Sequence, residues 1–334
     1  SNTSNPMELD IAPDGRVFYA ERDGRVQIVK PDTGTTVTAI DLDVFTGNED
    51  GLIGLRLDPN FASNNWIYLY YAPNDGVARN LLSRFTVTGD TIDLASEEAV
   101  LRVDTQRNTC CHAGGSMTFD SAGNLYLATG DNTNPFESDA FTPIDERPGR
   151  QDYDAQRTAG NTNDLRGKIL RIHPEDDGSY TVPEGNLFAP GTAQTRPEIF
   201  AMGMRNPFRI EIDPQSDALY VADYSPDARS ANPDRGPAGH GKWTVVPEAG
   251  NYGWPYCATA ELPYNDFDFA TRTSGEKFDC DAPVNDSVHN TGLRELPAVE
   301  QPEVWYTYGL SEEFPELETG GIGPMAGPAY QYDR

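Results

Sequence analysis

Lysine is scarce in this 334-residue chain: Lys30, Lys168, Lys242 and Lys277 are the only four. With 25 basic against 53 acidic residues, the formal net charge is -28. Such a surface offers no basic footprint for a polyanion, which excludes nucleic acid as a partner. The excess is read as a solvated acidic surface suited to secretion or salt, rather than an acidic recognition tract. Long apolar runs are missing too. No stretch approaches the length needed to cross a bilayer, and the N-terminal "SNTSNPMELD" has neither the basic head nor the apolar core of an export signal. Any such signal is expected to have been removed. Helical periodicity is almost absent.

What is present is glycine and proline, 31 and 26 residues, and four cysteines, a composition that fits an exported, disulfide-bearing protein better than a zinc site. Cys257 and Cys280 are the expected pair, closing a polar loop for about 3 kcal/mol on the chain-entropy account. Cys110 and Cys111 are neighbours, and a bridge between them or two buried thiols are both open readings.

Short β-branched and aromatic runs separated by Gly, Asp, Asn and Pro recur along the chain and predict an all-β fold. One pattern repeats: an apolar residue, Asp, a polar turn, then a strand with Tyr. It reads "IAPDGRVFYAE" at 11–21, "LDPNFASNNWIYLYY" at 57–71, "FDSAGNLYLATGD" at 119–131 and "IDPQSDALYVADY" at 212–224. The turns predict hairpins, and the apolar strands after them suit a strand sandwiched between neighbouring sheets. Irregular spacing favours propeller blades with inserted loops over a regular solenoid. Polar, Gly-rich and Pro-rich stretches at about 132–164 and 251–300 read as loops decorating one face of a single domain spanning 1–334. The final "GPMAGPAYQYDR" reads as the opening of another blade, so the propeller is expected to be incomplete at the C-terminus of this chain.

Six segments occur in an order that resembles the soluble pyrroloquinoline-quinone (PQQ)-dependent sugar dehydrogenases, the glucose/sorbosone dehydrogenase-like family. They are "EDGLIGLRLDPNF", "HAGGSMTFDSAGNLYLATGDN", "NDLRGKILRIHP", "GMRNPFRIEIDP", "RGPAG" and "NYGWP". The resemblance implies a six-bladed β-propeller with PQQ and calcium at the top of its funnel. It implies oxidation of a sugar or related alcohol by hydride transfer to the quinone. The partners would be a carbohydrate substrate and an external quinone or cytochrome acceptor, in a secreted or periplasmic setting.

Carried over by residue, the resemblance makes His112 the general base, since imidazole titrates near working pH. Asp131 would orient it and stabilise the imidazolium. Taken without the resemblance, His112 is a loop histidine satisfied by backbone groups. Arg205 and Asn206 match the cofactor-contacting pair, the guanidinium gripping a carboxylate or the quinone oxygens; a strand-entry ion pair and an Asn-Pro turn are the plainer reading. Gly236 and Pro237 match backbone carbonyls that ligate calcium, a hard cation that prefers oxygen. Glu49 falls near the cofactor and substrate, where it would bind a sugar hydroxyl or face water. Trp254 reads as an anchor beneath its loop rather than a sugar platform. Gly114 and Gly115 are expected to let backbone approach a flat cofactor.

The match departs at His240-Gly241-Lys242-Trp243, where relatives carry acids, and the basic residues that clamp the cofactor in relatives fall beyond this chain. Two other readings therefore accompany the first: glycoside cleavage by carboxylates such as Glu49 and Asp131, and a non-catalytic carbohydrate-binding propeller with a decayed cofactor site.

Overall fold

The computed structural model describes residues 3–331. The described residues fold into three antiparallel four-stranded sheets and one six-stranded sheet, arranged as four propeller blades, with a separate two-stranded hairpin. Blade I comprises β1 (Pro6–Ile11), β2 (Val17–Glu21), β3 (Arg25–Val29) and β4 (Thr36–Asp41). Blade II comprises β5 (Leu52–Leu57), β6 (Trp66–Tyr71), β7 (Arg79–Thr88) and β8 (Thr91–Asp104). In blade III, β9 (Gly114–Phe119) and β10 (Leu125–Thr129) are followed by β11 (Lys168–Pro174), the two-residue β12 (Tyr180–Thr181) on its edge, and β13 (Ile199–Met202). Blade IV has β14 (Arg209–Ile212), β15 (Leu219–Tyr224) and β16 (His240–Val246). The chain then adds β17 (Gly250–Asn251) in parallel to β13, makes a separate hairpin of β18 (Asn265–Asp268) and β19 (Thr273–Lys277), and returns with β20 (Val304–Thr307) as the outer strand of blade IV.

Each copy of the repeated sequence pattern is the hairpin between the first and second strands of one blade. The second strands show why. In β6, Ile67, Leu69 and Tyr71 pack into the apolar layer shared by blades I and II, whereas Tyr68 and Tyr70 face the layer shared with blade III. In β10, Leu125 and Leu127 face blade II while Tyr126 and Ala128 face blade IV. Successive side chains point to opposite faces of a strand, so a strand with a sheet on both sides is apolar throughout. Such burial is the dominant driving force for stacking the blades.

The first strands are tied by charge. Arg56 on β5 lies 3.0 Å from Glu211 on β14 and 3.6 Å from Asp10 on β1. Thr118 on β9 donates to the same Glu211 carboxylate at 2.8 Å. One guanidinium and its carboxylate partners thus link all four blades.

The described residues form four blades, where a six-bladed ring incomplete at the C-terminus of this chain is the expectation. Each repeat supplies one blade, and there are four repeats. After β16 the chain is spent on the segment 251–300 and on closing blade IV, and residues 323–331 form no strand. Residues 332–334 of the expected further blade lie outside the described part. The two polar segments are insertions, one between β10 and β11, the other between β17 and β20. They do not stand apart: Phe141, Ala155 and Ala159 of the first share an apolar cluster with Trp254, Ala258 and Tyr264 of the second. The Lys168 ammonium, fully buried, donates to the carbonyls of Thr158, Ala159 and Arg166 and fastens the first insertion to blade III. Cys257 and Cys280 are bridged as expected, and Cys110 and Cys111 are bridged as well.

Candidate active site

The loop entering β9 carries His112, and the end of β10 leads directly into Asp131, so one hairpin of blade III supplies both. The His112 Nδ1 and the Asp131 Oδ1 are 2.7 Å apart. Asp131 is fully buried and His112 is 3% exposed. An ionised carboxylate only accepts, so Nδ1 carries the proton and Nε2 presents its lone pair. Among the described residues nothing hydrogen-bonds Nε2.

The backbone holds this pair tightly. His112 has φ +64°, the left-handed region that is uncommon outside glycine. Its N–H donates to the Glu49 carboxylate at 2.6 Å. Gly130 must be glycine, because a Cβ there would lie 2.2 Å from the His112 carbonyl oxygen. Strand packing by itself requires the glycines at 114 and 115: a Cβ on Gly114 would strike the backbone of 128–130, and one on Gly115 would strike Ile53.

Blade IV contributes the second half. The Asp223 carboxylate, near the end of β15, accepts the N–H groups of Arg205 at 2.9 Å and Asn206 at 2.8 Å. The Asn206 amide oxygen then accepts the Gly114 N–H at 3.1 Å, and its amide nitrogen donates to the Tyr224 hydroxyl at 3.1 Å. The two blades are thereby locked in register at the site, since the Asp131 N–H also donates to the Arg205 carbonyl at 2.8 Å.

The Arg205 side chain is the unusual element. It is 1% exposed, and its guanidinium lies over the Tyr224 ring at 4.8 Å and the Trp254 ring at 5.6 Å. Its Nε has no hydrogen-bond partner. Burial opposes the charge, but the neighbouring Tyr224, Asp131, Asp227 and Tyr308 hold the guanidinium above its ordinary value. A buried guanidinium donor with no acceptor suits an anionic or quinone oxygen, so the side chain fits PQQ on its own chemistry.

Glu49, Asn206, Tyr224, Arg22 and Phe208 line a cleft of about 470 Å³, with Met325 of the C-terminal segment across it. His112, Asp131 and Arg205 do not line this cleft; His112 sits beside a small separate void bordered by Asp50 and Asn132. Burial pushes the Asp50 carboxyl up to about 6, against the opposing charge of Arg107.

Gly236 and Pro237 lie elsewhere, in the loop between β15 and β16. Gly236 packs on Tyr264, whose ring in turn meets the Trp254 ring edge-on at 6.4 Å. The Gly236 carbonyl already accepts the Asn232 N–H at 2.9 Å. Two carbonyls fall short of the about six to eight oxygens calcium takes, and no group of three metal-ligating side chains exists among the described residues. Any calcium here needs oxygens from another source. For glycoside cleavage the carboxylates are poorly disposed, because both Asp131 oxygens are engaged by internal donors.

Two members of the site were not singled out from the sequence, and a third was read only as an anchor. Asp223 and Tyr224 end "ALYVADY", the blade IV counterpart of "NLYLATGD", and the equivalence of the two repeats was the available signal. The third is the indole of Trp254, read as an anchor: it is one, at 1% exposure, yet its Nε1–H also donates to Asp131 Oδ2 at 2.7 Å.

The chain is 29% identical to the aldose sugar dehydrogenase YliI of Escherichia coli over 227 residues, covering 67% of this chain and 51% of that protein. It is 24% identical to quinoprotein glucose dehydrogenase B of Acinetobacter calcoaceticus over 275 residues, covering 77% and 52%. The chain thus spans about half the length of each. Among solved structures, the PQQ-bound aldose sugar dehydrogenase of Streptomyces coelicolor superposes with a TM-score of 0.57 at 19% identity, covering 91% of this chain and 81% of that one, which supports the shared propeller fold. The Glucose / Sorbosone dehydrogenase family profile matches residues 3–292, and the chain belongs to that family.

Proposed function

We propose that the chain carries the reaction centre of a secreted or periplasmic quinoprotein that oxidises a sugar or sugar-derived alcohol. The observation that carries this reading is the buried Arg205 guanidinium, whose Nε has no hydrogen-bond partner, near a His–Asp pair whose outer nitrogen is unbonded among the described residues. PQQ, when bound, would supply the hydride acceptor.

The protein's own residues then have separable tasks. His112 Nε2 takes the hydroxyl proton as the C–H bond breaks, and Asp131 keeps the imidazole in the correct tautomer and balances the charge that forms. Arg205 and Asn206 would hold cofactor oxygens, where the guanidinium would stabilise negative charge. Glu49 acts first by gripping the His112 backbone, and from the cleft wall its carboxylate accepts from a sugar hydroxyl. Calcium would use the carbonyls of Gly236 and Pro237 together with cofactor and water oxygens. For the whole protein we propose the six-bladed ring that the greater length of the relatives supports, with electrons leaving to an external quinone or cytochrome. The paired disulfides support an oxidising compartment, and no helix among the described residues is long and apolar enough to cross a membrane.

The test is addition of PQQ and calcium followed by absorbance spectroscopy and dye reduction with a panel of aldoses. Quinone-bound protein and acceptor-dependent oxidation are expected. Cleavage of oligosaccharides without any acceptor, or no quinone binding, overturns the proposal.

A further inference from the structure

The segment 251–300 reaches Asp131 through the Trp254 side chain. Trp254 is 1% exposed, its backbone N–H donates to the Gly203 carbonyl at 3.0 Å, and three residues later the loop is pinned by the Cys257–Cys280 bridge. Its indole Nε1–H points at Asp131 Oδ2, 2.7 Å away. The other Asp131 oxygen, Oδ1, is shared by His112 Nδ1 at 2.7 Å and the Thr133 N–H at 3.0 Å. Oδ2 has Trp254 alone.

We infer that Trp254 is a positioning residue that sets the proton affinity of His112 through Asp131, and that the insertion is therefore a working part of the site. Asp131 is cut off from water, so its charge is stabilised by these donors and by the nearby cations Arg205, Arg166 and Lys168. With His112 neutral, the pair bears one full negative charge and depends on the indole N–H. With His112 protonated, the imidazolium itself neutralises most of that charge and the indole matters less. The indole thus favours the unprotonated pair, the form able to accept a substrate proton. Without it, His112 holds a proton more tightly.

Other charged groups face the pair and stay unchanged by a substitution at 254. Glu49 and Asp50 come from the loop before β5, Arg205 from the β13–β14 loop and Tyr224 from β15. Arg166 and Lys168 come from the start of β11 and the loop before it, both within electrostatic reach of Asp131. The same Trp254 ring lies 5.6 Å from the Arg205 guanidinium, so phenylalanine keeps an aromatic face there while removing only the N–H.

The inference concerns the pair assigned above as base and orienter, but its first test needs no activity. With only four histidines, at 112, 173, 240 and 289, long-range ¹H–¹⁵N spectra of the cofactor-free protein can follow each titration. In Trp254→Phe the His112 midpoint is expected to rise by about one pH unit, tenfold in proton affinity, while the other three stay put. An unchanged His112 midpoint, or a common shift of all four, overturns the inference. Should the variant not fold, the unsubstituted protein offers a second readout. The Trp254 indole proton should resonate at low field and exchange slowly, and move upfield in Asp131→Asn. An ordinary, fast-exchanging indole signal is the opposing result. In quinone-loaded protein the acid limb of kcat/KM should follow the same upward shift. If the spectra shift but no quinone-dependent oxidation exists, the positioning role stands and the proposed reaction falls.

Discussion

The described residues hold two histidine–aspartate pairs of nearly the same geometry, and the proposed function gives them different tasks. His112 Nδ1 lies 2.7 Å from Asp131, and His289 Nδ1 lies 2.8 Å from Asp154; both aspartates are fully buried. The surroundings separate them. Asp154 spends its oxygens on structure: Oδ2 accepts Ser287 Oγ–H at 2.5 Å as well as His289, and Oδ1 accepts the Gln156 N–H at 3.0 Å. These bonds join the insertion after β10 to the insertion after β17. The nearby charges are acidic. Burial raises the Glu146 carboxyl above its ordinary range, with Asp154 and Asp266 adding to the effect. The Arg157 guanidinium also lies within electrostatic reach of Asp154, but it is paired with Asp152 at 3.0 Å. Around His112, by contrast, stand an orphaned guanidinium, an asparagine amide and a cleft wall. On the proposed reading, the groups surrounding a His–Asp pair decide whether it serves as a clip or a base.

The largest expected effect breaks the symmetry outright. Replacing His112 with Ala should lower kcat of the quinone-loaded protein about 10³-fold, within the usual range for loss of a general base. His289→Ala should leave kcat within about threefold, because its contribution is a hydrogen bond of about 1 kcal/mol to stability. Steady-state dye reduction reads both. Comparable losses in the two variants would mean that the geometry of the pair alone decides, and the distinction drawn above would fail.

Removing charge from each aspartate tests the same contrast from the other side. Asp131→Asn should cost about 10²-fold to 10⁴-fold in kcat, by presenting the wrong tautomer of His112. Asp154→Asn should leave kcat nearly intact but destabilise the fold by about 1–3 kcal/mol, since buried donors lose a charged acceptor. Thermal denaturation alongside kinetics separates the two outcomes. A stable Asp154→Asn protein would remove its role as the clip between insertions.

The covalent clip comes next in size. Replacing both Cys257 and Cys280 with Ala is expected to destabilise by about 3 kcal/mol on the loop-closure account. Because Trp254 and His289 flank that bridge in sequence, loosening it should disturb both pairs, raising the His112 titration midpoint and weakening the His289 contact together. Denaturant titration with histidine spectra checks this. If only the His289 signal changes, Trp254 is held by Gly203 and Tyr264 without help from the bridge.

How much of this was readable beforehand follows from the physics of each element. The blades were legible because a strand buried on both faces must be apolar throughout and its hairpin needs turn residues; "NLYLATGD" and "ALYVADY" show both. The number of blades was not, since the sixfold ring rested on resemblance while the four repeats counted correctly. His112, Asp131, Arg205 and Asn206 are brought together by two adjacent blades, as their ordered motifs implied. Gly236 and Pro237 were harder, because a carbonyl's availability depends on which N–H it already accepts, and no residue pattern states that. The indole of Trp254 crosses 123 positions to reach Asp131. Contacts of that range come from how an irregular insertion folds back, which composition does not encode.

The smallest expected effect lies beside the second pair. Tyr256 is 1% exposed and its hydroxyl has no hydrogen-bond partner, although Asp154, Glu146, Asp266 and Asp286 surround it electrostatically. Burial drives its ionisation far above the ordinary range, and those four carboxylates push the same way. A buried hydroxyl without a partner is a net burden on the fold, whereas the ring itself packs edge-on to Phe278 at 4.9 Å. Tyr256→Phe keeps the ring and deletes the orphan, so stability should rise, by up to about 1 kcal/mol, with kcat unchanged. The opposite sign, a loss of stability or of the His289 contact, would mean that the hydroxyl serves the acidic cluster through an interaction with Asp154, and that the second pair reaches further into the insertion than its direct bonds indicate.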